Sequence, residues 1–124
     1  MLMNQKVCGR AVLKLSQRDI ILIPFPFSDL AGSKVRPALV ISSNEYNKNS
    51  LDAVVVALTS NLSPSLFKVL VNHQDLDRGR LPVESSVRVD KPFSILQTKT
   101  LKVQARLNEA KFKEVQQSLE RLIR

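Results

Sequence analysis

At 124 residues the chain is long enough to bury one hydrophobic core and too short for two domains of ordinary size. Its longest apolar run, residues 20–27, contains two prolines and falls well short of the roughly 18–20 residues of a membrane span, while a single cysteine, Cys8, excludes an internal disulfide framework and a cysteine-based zinc site. Lys and Arg number 19 against 11 Asp and Glu, a net charge of +8 that attracts polyanions, nucleic acid being the commonest.

The basic excess is spread along the chain: residues 1–62 carry 7 basic and 4 acidic groups, residues 63–124 carry 12 and 7. Lys6, Arg10 and Lys14 interrupt any apolar segment of a secretory signal, so a cytoplasmic protein is expected. Residues 1–18 hold spaced apolar positions, Val7, Ala11, Val12 and Leu15, among basic ones, and read as a short helix or a loose arm ahead of a single domain over 19–124.

From Asp19 the pattern turns to strand. Residues 20–27 are rich in β-branched and aromatic side chains, and Pro24 and Pro26 point their missing N–H groups to one side, which places this end on an edge or beside an opening. A polar turn follows around Gly32, then a strand over 37–42 with Pro37 at its entrance. Residues 43–50, polar and Asn-rich, are a loop or one helical turn. Residues 52–59 are almost wholly apolar and predict a strand buried on both faces. After a turn around Pro64 come a strand over 66–71, a charged loop over 75–82 around Gly79, a half-buried strand over 86–89, and a further strand over 93–97 beyond Pro92. Asn108 caps a helix in which Phe112, Val115, Leu119 and Leu122 recur at helical spacing, with Glu109 at the positive end of its dipole. Short strands at close spacing before one terminal helix predict a mainly β fold, a small antiparallel barrel.

Absences narrow the chemistry. His73 is the only histidine, so a two-histidine acid–base pair within one chain is impossible, and its loop setting argues against a nucleophilic partnership. Asp75 and Asp77 have no strand or helix to hold them with His73 in a ligand geometry, so no metal is expected. With glycine only at positions 9, 32 and 79, no phosphate-cradling loop is present. Two polar clusters remain. Lys34 and Arg36 flank the turn feeding the strand at Pro37, where a guanidinium fork either makes a surface ion pair or reads a phosphate. Thr59, Ser60 and Asn61 place two hydroxyls and an amide where a buried strand emerges, either as turn caps or as donors to a ligand.

Taken in order, residues 19–27, 32–42, 54–60 and 86–91 resemble the MazF/PemK family of toxin endoribonucleases, a likeness that runs over roughly 18–107. An Arg-Pro entering a Val/Ile strand, followed by an apolar strand ending in Thr-Ser, is the specific combination. The resemblance implies an SH3-like barrel with a C-terminal helix, a homodimer, and cleavage of single-stranded RNA without metal or other cofactor. It also implies a toxin–antitoxin system in which an acidic antitoxin occupies the RNA groove. Carried over position by position, the catalytic pair falls on Arg36 and Thr59, with Lys34, Ser60, Asp90 and Lys91 at RNA-contacting positions. Without paired histidines, cleavage relies on the RNA's own 2′-hydroxyl, leaving a 2′,3′-cyclic phosphate and a 5′-hydroxyl. Three departures stand out: Arg18 where the family usually has Gly, Ala105 at another usual Gly, and the extra residues 1–17. The competing reading is a non-catalytic binding module, either a gyrase-poisoning toxin like those of the related CcdB group or an inactive homologue.

Overall fold

The computed structural model describes residues 14–25 and 34–124; the helix or arm expected over 1–18 lies outside the described residues up to position 13, as do Cys8 and the polar turn around Gly32, and residues 14–18 form no helix. The described chain forms β1 (Asp19–Phe25), β2 (Lys34–Val40), α1 (Asn44–Asn49), β3 (Asp52–Thr59), β4 (Lys68–Val71), β5 (Leu76–Gly79), β6 (Ser85–Leu96), β7 (Lys102–Leu107) and α2 (Glu109–Ile123). All seven strands join one antiparallel sheet in the order β4-β6-β3-β2-β1-β7-β5. The expected mainly β architecture with a C-terminal helix is the one the chain adopts.

Alternation along the strands builds two cores. Ile20, Leu39, Val56, Val69, Val87 and Ala105 come from six different strands yet share one cluster, so the sheet must curl around them. Phe112 and Val115 of α2 close that cluster, and Asn108 Oδ1 caps the helix by accepting from Lys111 N at 2.8 Å. The residues of opposite parity, Ile21, Ile23, Ala38, Val40, Ala53 and Val55, form a second cluster on the other face, which Leu15 joins. Gln97, buried beside it, ties three segments together: its Oε1 accepts from Leu15 N at 2.9 Å, and its Nε2 donates to Asn47 O, Ser50 O and Asp52 O at 2.7–3.1 Å.

Three sequence expectations need correction. Residues 75–82 are not simply a loop: a 3₁₀ turn over His73–Asp75 leads into β5. The strands expected at 86–89 and 93–97 are one strand, β6, whose pairing with β3 shifts between Val56 and Leu58. Pro92 fits within it because β4 pairs only with residues 85–88, so among the described residues no strand lies on the other side of β6 there. β7 was not anticipated; it pairs with β1 and β5.

Pro24 stands beside an opening: β7 pairs with β1 only as far as Leu22, so among the described residues no strand lies on that side of β1 at Pro24, while Pro26 lies outside the described residues.

Arg18 has φ +82°, in the left-handed region that favours glycine. It is held there by bonds at both ends: its N donates to Val40 O at 3.0 Å, and its Nη1 donates to Leu107 O at 2.7 Å and to Asp77 Oδ2 at 3.1 Å. Arg18→Ala keeps the strain and loses the side-chain bonds, and should cost about 1–3 kcal/mol. Arg18→Gly loses the same bonds but relieves the backbone, so it should be about 1 kcal/mol more stable than Arg18→Ala in denaturant unfolding.

Candidate active site

Pro37 shapes the site. Having no N–H to donate, it stands one residue past the end of the β2–β3 ladder, whose last pair is Ala38–Ala57. Beyond that pair β2 continues against β1 alone, with Ile23 opposite Arg36 and Phe25 opposite Lys34, while β3 continues against β6 alone, with Ser86 opposite Thr59. The sheet therefore parts between β2 and β3. Arg36 and Thr59 stand on the two lips of the parting, each two residues beyond the last shared pair.

Parity puts them on one face. Arg36 and Lys34 stand an even number of residues from Ala38 and Val40, as Thr59 does from Ala53 and Val55, so all lie on the side of the second cluster. The Ala38–Ala57 pair between them is a low floor because neither side chain extends past Cβ. Lys34 and Arg36 are exposed, Thr59 is half-buried, and Ser60 is exposed one residue further on.

The loop leaving β3 is braced. Thr59 Oγ1 accepts from Asn61 N at 3.1 Å, which leaves the hydroxyl proton to be donated outward. Asn61 Oδ1 accepts from Ser63 N at 3.0 Å and Ser63 Oγ at 2.8 Å. Lys68 Nζ then donates to Asn61 O at 3.2 Å and Ser63 O at 3.1 Å, clamping the loop from β4.

Sequence reasoning missed Arg88. It alternates with Val87 and Val89 of the inner core and follows Ser86 by two residues, so it faces the side carrying Thr59. Its Nε and Nη2 donate to Asp90 Oδ1 and Oδ2 at 3.2 and 3.3 Å, a two-toothed pair beside Lys91, which is exposed. The inside–outside alternation of residues 86–89 was the available signal, since it leaves Arg88 as the outward cation. The Arg88 guanidinium, hydrogen-bonded to Asp90, holds the Asp90 carboxyl below its ordinary value; burial opposes this, and the charges of Arg88 and Lys91 add to the lowering. A carboxyl depressed in the folded state adds stability above its unfolded value of about 3.9, and that stability is lost as pH falls through the lower folded value. The pair is thus fully ionised at neutral pH. Arg88→Met should move the Asp90 midpoint up toward about 3.9 in an NMR titration of its carboxyl carbon.

His73 is exposed at the start of its 3₁₀ turn, Asp75 completes a capping box with Asn72, and Asp77 pairs with Arg18. Among the described residues no three His, Cys, Asp or Glu side chains gather to hold a metal ion, and no helix is long and apolar enough to cross a membrane.

A search of curated proteins finds no match. Solved structures do share the architecture. An endoribonuclease from a mycobacterial species superposes with a TM-score of 0.72 over 92% of this chain and 95% of that one, at 18% identity. A mycobacterial endoribonuclease in complex with its cognate antitoxin gives 0.67 over 89% and 93%, at 16% identity. The MazE–MazF complex (Form III) from Deinococcus radiodurans gives 0.73 over 90% and 97%, at 22% identity. Identities this low speak for the fold alone. Membership comes from the sequence itself: residues 16–123 match the model of the PemK-like, MazF-like toxin of type II toxin–antitoxin systems, and the chain belongs to that family.

Proposed function

We propose that the chain is a metal-independent endoribonuclease that cuts single-stranded mRNA, and that Arg36 and Thr59 are its catalytic residues. The observation that carries this reading is the parted sheet, which sets a guanidinium and an oriented hydroxyl on facing lips of one opening. The last facing pair, Ala38–Ala57, lies about 5 Å apart at Cα, and Arg36 and Thr59 stand two residues further along the diverging strands. A phosphodiester resting on the Ala38–Ala57 floor is then within reach of both side chains.

The RNA's 2′-oxygen attacks the adjacent phosphorus and the 5′-oxygen leaves. The pentacoordinate transition state carries extra negative charge on its non-bridging oxygens. Arg36 meets that charge with a fork matched to two phosphate oxygens, and Thr59 donates its free proton to the same group. Cationic donors already stand where the charge develops, so the reaction needs no divalent ion. The products are a 2′,3′-cyclic phosphate and a 5′-hydroxyl. Arg36 serves as an electrostatic stabiliser rather than a proton shuttle, because a guanidinium holds its proton at a pKa of about 12.5 or more.

Lys34, Ser60 and Lys91 contact the RNA on either side of the scissile group, and the Arg88–Asp90 pair presents an ionised edge beside Thr59. The domain over 19–124 works as a homodimer in the cytoplasm and is silenced by an acidic antitoxin segment that competes for the same cations. Antitoxin complexes of proteins with this fold support that partner.

The test is incubation of purified protein with unstructured RNA in EDTA, followed by identification of the new ends. Cyclic phosphate and 5′-hydroxyl ends are expected. RNA that is bound but left intact selects the non-catalytic binding module instead.

A further inference from the structure

We propose that the ribbon formed by β5 and β7 is a second phosphate-binding surface, holding single-stranded RNA at a distance from the cut; this rests on the ribonuclease reading above. Arg78 pairs directly with Arg106 across the ladder. Two like charges in facing positions destabilise a sheet, so the arrangement is stabilised by an anion. Asp19 supplies part of it: its Oδ1 lies 3.1 Å from Arg106 Nε, but its other oxygen accepts from Ser16 N at 2.9 Å and the carboxylate is buried. Arg78 is exposed and makes no ion pair with any described residue, and Arg80, also exposed, follows two positions later.

The backbone carrying these cations is rigid. At Gly79 the chain lies so close to β7 that a Cβ there would stand 2.2 Å from Gln104 O. Gln104 Nε2 in turn donates to Arg80 O at 3.0 Å. Binding therefore orders side chains only, on a frame already in place.

The surface is on the same outer face of the sheet as the proposed active site. Arg106 pairs with Asp19, which alternates with Ile21 and Ile23 along β1, and Ile23 pairs with Arg36. Along the curled sheet surface, three strand spacings across and four residues along separate Arg78 from Arg36 by about 20 Å, a span of several nucleotides. Guanidinium forks match phosphate oxygens, and neither β5 nor β7 carries an aromatic side chain on which a base might stack. The ribbon thus reads the RNA backbone without regard to sequence. It strengthens binding of long transcripts over short fragments.

The test uses 2′-O-methyl RNA, which cannot be cut because its attacking hydroxyl is blocked, in probes of about five and about twenty nucleotides. For the full chain carrying Arg78→Ala and Arg80→Ala, binding of the long probe should weaken about tenfold, with a salt slope shallower by about 1.4, and binding of the short probe should hold. Both positions are exposed, and removing one of two facing cations should leave the melting temperature unchanged or raise it. Equal loss on both probes, or loss on neither, overturns the proposal. So does a variant that binds both RNAs normally but fails to bind poly-glutamate, which assigns the surface to an acidic protein segment. Wild-type protein that leaves ordinary RNA intact yet binds the long probe through Arg78 and Arg80 sinks the ribonuclease reading while sustaining this one.

Discussion

Arg36→Ala should slow RNA cleavage by about 10²–10³-fold, the usual consequence of deleting one donor that stabilises a charged transition state. The side chain is exposed near the start of β2, so the variant should stay folded, which its thermal melt checks. Arg36→Lys keeps the charge and loses the fork, and should recover only part of the rate. Thr59→Val removes the donated proton while keeping the branched shape of a strand residue, and should cost a comparable factor; Thr59→Ser should restore much of it. The two groups act on one phosphate, so the double variant should lose less than the product of the single losses. Single-turnover cleavage with end-group analysis measures all of these. An Arg36→Ala protein as fast as wild type removes the mechanism.

Gly79→Ala should produce the largest loss of stability, about 2–4 kcal/mol. The residue has φ +83°, which costs an L-amino acid about 1 kcal/mol. Its new Cβ also meets Gln104 O at 2.2 Å, Ala105 Cα at 2.5 Å and Ala105 Cβ at 2.8 Å, which are the backbone and first side-chain atom of β7. None of these can swing aside, so the overpacking adds about 1–3 kcal/mol and β5 must separate from β7. The urea midpoint should fall, the melting temperature should drop by about 8–15 °C, and amide exchange should accelerate first in residues 76–79. A variant as stable as wild type shows that β5 is not seated as described.

What the sequence discloses depends on whether a segment folds on its own chemistry or on its neighbour's. Residues 52–59 are so apolar that β3 was legible to the residue, and Asn108 with its helical repeat disclosed α2. β5 reads Leu-Asp-Arg-Gly, a poor strand former by composition, and is a strand because Gly79 permits close contact with β7. β7 reads Lys-Val-Gln-Ala-Arg-Leu, and its pairing with β1 slips by one residue between Ile20 and Ile21, which blurs the period of two on which recognition depends. Arg36 and Thr59 were found through the residues beside them. Their shared face follows from the register of β2 on β3, which no local pattern encodes. Arg88 lay within a strand recognised as half-buried, and its outward place, two residues before Asp90, was legible in the alternation, but the two-toothed contact is not. Arg18, a departure from the family's glycine, proves to be the one described non-glycine residue at positive φ.

Arg36 is fixed by β1 and Thr59 by β6, and between them β2 and β3 share just three residue pairs. During translation β6 leaves the ribosome long after both chemical groups have been made. Until it does, only those three pairs hold the two strands in register, and the threonine lacks the strand that seats it.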